Sequence, residues 1–449
     1  MKSSNKQYGK RLLILAFPII MNNIIAQLQM IIDRIFLGHA NDLYMSALGN
    51  VSSPVWTTMS FCNSLVMGAS ILISQSVGAK KREDIGEYAG AMLKYNNIIP
   101  IFLCFFWMIF PKPVFMILGV SDNVMPLCLG YVRWYAPLFL LTGLGGSLGV
   151  ILQTSNYTKP LVVYGCVRSG LNIFLDWMLI FGNLGMPALG IKGAAIATVL
   201  AQIIAFVICW IYMIKRYELL RLSGDDFKEP QPQMIQSMLS AGLSMGFMSS
   251  LINIGSLTLQ TAINKLGQNI IVAHTAARKI SEMFMIMFTV FGQTMATYCG
   301  QNLGAGRIDR IKKGIGLAIL YTCIWCSFTI VASYTIGDWL VYMVTGSKNA
   351  EVLKNATNYL KFDTLFYFVT AVICVVRNAM QGLGDHITPL VSSSLEMIGK
   401  IVIAATLVPW FGYTGVIVAE PLVWFIMVIP LLIQIFRMPV LKNNILTKS

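Results

Sequence analysis

Long apolar stretches alternate with short polar ones along almost the whole 449-residue chain. At 1.5 Å of rise per residue, an apolar run of about 18 residues or more crosses a hydrocarbon core of about 30 Å as a helix. Such runs fall roughly at 11–37, 50–76, 93–119, 131–153, 160–182, 190–214, 235–264, 271–299, 314–342, 358–382, 388–411 and 413–437. Nothing between them is long enough for a soluble domain. The pattern predicts an all-α polytopic membrane protein with twelve transmembrane helices. No cleavage pattern follows the first apolar run, so it is expected to stay as a helix and not to act as a signal peptide.

The polar stretch from Lys215 to Gln233 divides the chain nearly in half and predicts an N-lobe, 1–222, holding spans 1–6 and a C-lobe, 223–449, holding spans 7–12. The halves repeat each other. Ser74-Gln75-Ser76-Val77-Gly78-Ala79 recurs as Gly300-Gln301-Asn302-Leu303-Gly304-Ala305, 226 residues on, each followed by basic residues. Gln153 then Pro160 is answered by Gln381 then Pro389, and Gly190-x-x-Gly193 with Ala197 by Gly412-x-x-Gly415 with Ala419. An even number of spans per half keeps both copies in one orientation, so two pseudo-symmetric six-helix lobes related by an axis along the membrane normal are expected. Repeats of this kind place a substrate site at their interface near the midplane. Two tightly packed bundles with no cavity are the alternative.

Composition agrees with the pattern. Charged residues make up 12% of the chain and mean hydropathy is +0.69, against about 25% charged in a soluble protein. A net charge of +14 suggests nucleic acid until its placement is read. The termini and even-numbered loops hold 19 Lys and Arg and the odd-numbered loops 6, at Lys112, Lys192, Lys265, Lys348, Lys354 and Lys361. That bias puts both termini in the cytoplasm, so the charge is topology and no nucleic-acid partner is expected. The nine cysteines lie in or beside apolar runs, and Cys323-x-x-Cys326 has no second pair or neighbouring His; neither a disulfide framework nor a zinc site is expected. His39, His274 and His386 lack metal-ligand spacing, and no GxxxxGK[ST] loop is present. An enzyme is not indicated and no cofactor is expected. The 26 Met and many aromatics suit either a pliable pocket or ordinary span filling.

Charge deep in a span costs about 2.5 kcal/mol or more and marks functional candidates. In span 1, Asn22, Ala26, Gln29 and Asp33 are spaced 4, 3 and 4 apart and form one stripe. Pro18 lies on the same side and is either a hinge or a static kink. Span 5 offers Ser169, Asn172 and Asp176 on one face, and span 6 offers Thr198 and Gln202. Asp33, Asp176 and Thr198 all fall within about 12 Å of the outer boundary by rise per residue, so they are able to meet. Two carboxylates in a low-dielectric pocket do not readily both ionise. The pair suits exchanging a proton, or holding Na⁺ at Asp33 and Asp176 with Asn172 and Thr198 as neutral oxygen donors. Alternatively, Asp33 pairs with Arg34 and Asp176 reaches to the interface.

The second half differs. Ser249, Asn253, Ser256, Gln260 and Asn264 run down span 7 at helical spacing but are neutral, and Leu259 stands at the repeat position of Asp33. Glu396 and Lys400 at i, i+4 predict a structural ion pair; Glu420, at the repeat position of Thr198, is a weaker site candidate; Arg278, Lys279 and Glu282 predict a structural cluster. Ion coupling is expected in the N-lobe and a largely neutral cavity wall in the C-lobe, with Asn22, Gln29, Gln202, Asn253 and Gln260 as cavity candidates.

With these residues in hand the chain resembles the multidrug and toxic compound extrusion (MATE) family over nearly its full length. The matching features are Pro18 through Asp33 and Gly38, SQSVGA with its repeat GQNLGA, NIFLD at Asn172–Asp176, GIKGAAIAT ending at Thr198, ATYCGQNLGAG at Ala296–Gly306, and RNAMQGLGD at Arg377–Asp385. The resemblance implies a V-shaped pair of six-helix lobes in the bacterial plasma (inner) membrane. It implies export of organic, often cationic, drug-like compounds in exchange for H⁺ or Na⁺ by alternating access, with membrane lipid around a single functional chain. In one bacterial branch an Asp, Asn, Asp and Thr network couples transport, matching Asp33, Asn172, Asp176 and Thr198, with bending of the first helix at the proline matching Pro18. The norfloxacin-exporting branch has a span-seven Glu and a span-ten Asp, where this chain carries Ile252 or Asn253, and Val369. Two rivals remain: a flippase for lipid-linked oligosaccharide precursors, which favours a basic cavity, and a non-transporting membrane scaffold or receptor. A major-facilitator transporter is disfavoured because GAKKRED follows span 2 in place of the GxxxDRxGRR-type loop.

Overall fold

The computed structural model describes residues 5–154, 159–216, 231–346 and 349–442, and no strand occurs among them. The apolar runs are helices: span 1 (Asn5–Ala40), span 2 (Asp42–Ala79), span 5 (Lys159–Phe181), span 6 (Ile191–Arg216), span 7 (Pro232–Ile263), span 8 (Gln268–Gly304), span 9 (Ile308–Thr335), span 11 (Ile387–Ala405) and span 12 (Tyr413–Arg437). Spans 3, 4 and 10 are each broken in two: Arg82–Tyr95 with Ile98–Ile109, Met125–Tyr135 with Pro137–Thr154, and Ala350–Leu365 with Tyr367–Gly382. Among the described residues, nine helical stretches are long and apolar enough to cross a membrane, and the two parts of span 10, meeting at 54°, make a tenth. Spans 5 and 8, 23 and 37 residues long, complete the expected twelve. Both carry internal charge, Arg168 and Asp176 in one and Arg278, Lys279 and Glu282 in the other. The protein is an all-α polytopic membrane protein.

Two boundaries differ from the apolar runs for local reasons. Span 3 begins at Arg82 and stops at Ile109, not at 119, because Pro111 disfavours helical backbone at Phe110 and starts the separate helix Pro111–Ile117. Span 4 breaks at Ala136 because Pro137 supplies no backbone N–H to continue the ladder. Of the polar stretch Lys215 to Gln233, residues 217–230 lie outside the described residues, as do Lys2, Lys348 and Lys448 of the charge argument.

The chain forms two compact units, Phe17–Gly246 and Met1–Ala16 with Phe247–Ser449. The division falls inside span 1, just before Pro18, and inside span 7. The first unit has cores built around Leu37, Phe115 and Phe139, and around Ile73, Met92 and Leu148. The second has one large core containing Phe288, Tyr359, Tyr367 and Met380. Outside these cores large apolar side chains stay exposed, with Ile117 at 86%, Trp410 at 80% and Phe436 at 75%. A water-facing surface would not tolerate that many; a lipid-facing one requires it.

The repeated glycines do the same work in both units. Gly190 and Gly412, just before spans 6 and 12, sit at φ +55° and +57°, where a side chain is strained. Gly193 lies so close to the Leu179 carbonyl, and Gly415 to the Leu407 carbonyl, that a Cβ on either would be 2.5 Å from the oxygen. Each half thus presses the start of its last span against the backbone preceding it.

Candidate functional site

Span 1 runs as one helix through Pro18, which is buried. The polar stripe beyond it lies along span 5. A Cβ at Gly165 would fall on Asn22 Oδ1, so the missing side chain is what lets Asn22 approach. One turn further, the Ser169 hydroxyl donates to Gln29 Oε1 at 2.9 Å. Asp33 and Asp176 come next, with their carboxyls within hydrogen-bonding reach of each other. Asp33 lies seven residues before Ala40, Asp176 five before Phe181, and Thr198 seven after Ile191. These similar depths are why three separate spans can contribute to one group.

Span 6 supplies the third wall. Asn172 Nδ2 donates to Thr198 Oγ1 at 3.3 Å, and the Thr198 hydroxyl donates back to the Ala194 carbonyl at 2.9 Å. Gln202 Nε2 donates to the Tyr164 hydroxyl at 2.7 Å. Asn172 and Asp176 are fully buried, and Asp33 is half-buried. Both oxygens of Asp176, Asp33 Oδ1 and Asn172 Oδ1 receive no hydrogen from any protein donor. Two carboxyls in contact cannot donate to one another unless one is protonated, and four acceptor oxygens without donors suit a proton or a small cation between them. Asp33 makes no ion pair with Arg34 among the described residues; Arg34 Nη2 points at Met30 Sδ, 3.7 Å away.

Three further side chains join this group that composition and spacing did not single out. Arg168, on span 5, is close enough to act on Asp33, and its Nε has no partner. Tyr131 lies near both carboxyls, and Tyr135 near Asp33 and Arg168. These two tyrosines stack with centroids 5.3 Å apart on the last turn before the Pro137 break. An arginine inside span 5 was a legible signal; tyrosines in an apolar span were not.

Asn253 and Gln260 are on span 7 in the second unit, both partly buried, and Gln260 Nε2 donates to Asn264 Oδ1 at 2.9 Å. Buried charge also lies among the spans of the second half. Lys400 Nζ lies 2.9 Å from Glu396 and 3.4 Å from Glu420, Arg278 Nη1 lies 3.3 Å from Glu420, and Arg377 Nη1 reaches within 4.0 Å of Glu396. The Glu396–Lys400 pair expected from i, i+4 spacing is thus present, and spans 8, 10 and 12 extend it into a network. Lys279 pairs with Glu282 at 3.0 Å on the exposed side. Asp363 in span 10 is fully buried and was missed, although it lies five residues inside the apolar run at 358–382.

The protein-family model described as MatE matches residues 18–178 and 244–406. The probable multidrug resistance protein YoeA of Bacillus subtilis is 23% identical over 405 residues, covering 89% of this chain and 86% of that protein. The probable multidrug resistance protein NorM of Thermotoga maritima is 23% identical over 421 residues, covering 91% and 88%. Among solved structures, a crystal structure of MATE in the bent conformation superposes with a TM-score of 0.88 at 18% identity, covering 98% of this chain and 97% of that one. A transporter of the MOP superfamily from Pyrococcus furiosus, described as having a binding pocket of reverse polarity, gives 0.86 at 19% identity over 97% of both chains. At such identities the structural likenesses speak for the fold alone.

Proposed function

From the premise that this chain belongs to the MatE family, we propose that it is a secondary antiporter exporting organic, drug-like and often cationic compounds in exchange for H⁺ or Na⁺. The reading is carried by one observation: Asp33 and Asp176 meet inside a membrane-spanning bundle, and Asp176 has no protein donor on either oxygen. Burial of an unpaired carboxylate is costly, and a coupling ion relieves that cost each time it binds. The multidrug names of the family relatives support the substrate class.

In this reading Asp33, Asn172, Asp176 and Thr198 hold the coupling ion, a proton shared by the carboxyls or Na⁺ with the free Asn172 and Asp176 oxygens. Pro18 is the hinge: its ring weakens the helical turn before it, so a bend there carries Asn22, Gln29 and Asp33 along span 5 together. Asn22, Gln29, Gln202, Asn253 and Gln260 line the substrate path, which opens alternately to either side as the lobes 1–222 and 223–449 rock. The protein works as a monomer in the plasma membrane with both termini in the cytoplasm, as the 19 to 6 distribution of basic residues supports.

The test is transport of the cationic dye ethidium by proteoliposomes holding the full chain, first under an imposed pH gradient and then under an imposed Na⁺ gradient. Gradient-driven dye movement is expected under one or both, and its loss in Asp176→Asn is expected with it. Dye movement equal to that of protein-free liposomes under both gradients would sink the reading.

A further inference from the structure

Span 5 carries a cation that its surroundings leave unmatched. Arg168 lies nine residues after Lys159 and thirteen before Phe181, about 14 Å and about 20 Å of helical rise from the two ends. A permanent charge at such depth is costly and marks a functional group by default. Among the described residues Arg168 has no acid within 4.0 Å and no hydrogen bond, and its buried Nε meets no acceptor. An arginine built to neutralise Asp33 would close on it, as Arg278 closes on Glu420 at 3.3 Å. Arg168 acts on Asp33 only through space.

The side chains around Arg168 fit a ligand. Tyr164, Arg168, Asn172 and Asp176 recur at every fourth residue and share one face of span 5. Tyr164 lies near Arg168 and is fixed by Gln202 of span 6, whose Nε2 donates to its hydroxyl at 2.7 Å. Tyr135, at the end of the first part of span 4, is a second ring near Arg168 and stacks on Tyr131. Two tyrosine rings beside a guanidinium suit an aromatic molecule, and the guanidinium fork suits a carboxylate. Further along the same face come the acids, so positive and negative groups follow one another.

We propose that Arg168 recognises a carboxylate on the exported compound, which makes an aromatic zwitterion the preferred cargo. The inference rests on the exchange reading above and deepens it by naming the charge pattern of the cargo. The cation of the cargo lies against Asp33, and its carboxylate accepts from the Arg168 guanidinium. A coupling ion arriving at Asp33 and Asp176 displaces that cation, and the cargo is then held by one end only. A purely cationic compound meets the unpaired Arg168, and a purely anionic one meets two acids, so each binds less well. A lipid phosphate does not reach Arg168, because headgroups lie at the ends of the span.

The experiment measures binding of two rhodamines to the purified full chain in detergent by fluorescence polarisation. Rhodamine 110 carries a free carboxylate beside its xanthylium cation; rhodamine 123 is the methyl ester and carries the cation alone. The wild type is expected to bind rhodamine 110 at least about tenfold more tightly, as a charge-assisted bond to a carboxylate provides. Arg168→Met is expected to erase that preference, by weakening rhodamine 110 and by relieving rhodamine 123 of a repelling cation. Arg168→Gln serves as a second neutral replacement if the methionine variant does not fold. Equal binding of the two dyes by the wild type overturns the proposal, and so does a preference that survives loss of Arg168 or binding of neither dye. Ethidium transport keeps the two readings apart. Gradient-driven ethidium movement without the rhodamine preference removes this inference alone. The preference without movement under either gradient removes the exchange reading and leaves Arg168 as the carboxylate contact.

Discussion

Ser169 donates its hydroxyl hydrogen to Gln29 Oε1 at 2.9 Å, and this bond ties spans 1 and 5 together one turn before Asp33 and two turns before Asp176, which meet. Gln29 precedes Asp33 by four residues and Ser169 precedes Asp176 by seven, so both pairs share one face of their helices. The carboxyls meet because the turn beneath them is fastened.

Removing charge from that meeting should stop transport without unfolding the protein. Asp33→Asn and Asp176→Asn are expected to abolish efflux of a cationic dye from whole or everted cells while expression is retained. The amide keeps size and polarity, and the Asn172–Thr198 bond is untouched. Normal efflux in both variants would show that the pair is not the coupling site.

Gly165 is expected to be intolerant of a single methyl group. Gly165→Ala drives a Cβ into Asn22 Oδ1, and overpacking of this kind costs about 1–3 kcal/mol. Asn22→Ala added to it should recover most of the loss, because the clash needs both side chains. Thermal unfolding midpoints of the purified variants in detergent decide it; purely additive effects would mean that the contact is not what limits the site.

The repeat makes a paired prediction. Gly193→Ala and Gly415→Ala press a methyl group on the carbonyls of Leu179 and Leu407 alike, so both are expected to destabilise by a similar amount, about 1–3 kcal/mol. Unfolding midpoints that fall for one and stay level for the other would deny the two glycines an equivalent role.

The buried ion network should tolerate loss of its shared cation better than loss of its acids. Lys400→Met takes the shared cation from Glu396 and Glu420 but leaves Arg377 and Arg278 on them, so it is expected to cost less than the about 3–5 kcal/mol of stranding a buried charge. Adding Glu396→Gln and Glu420→Gln to Lys400→Met strands Arg278 and Arg377 without their acids and is expected to unfold at a lower temperature than Lys400→Met alone. The reverse order would mean that the network holds by packing and not by charge.

The chain's own pattern went far. Apolar runs of membrane-crossing length, the basic bias of its loops and the thrice-anchored repeat made the class of fold legible, since a bilayer demands those features of any helix that crosses it. Asp33 and Asp176 were legible too, because charge inside an apolar run has few innocent reasons to be there. Depth along the helices foretold that Asp33, Asp176 and Thr198 were able to meet. Which neighbours complete the group was not written in any one span. Arg168, Tyr131 and Tyr135 belong to it only because the breaks and crossings of spans 4 and 5 turn them inward. Asp363 escaped attention for the same reason. An acid near the edge of an apolar run reads as a boundary residue, and only the packing of spans 8, 10 and 12 makes it a buried carboxyl whose nearest cation is already taken. Periodicity and charge determine which residues can face one another; contacts between helices distant in sequence decide which of them do, because burial and donor supply are properties of the assembled bundle.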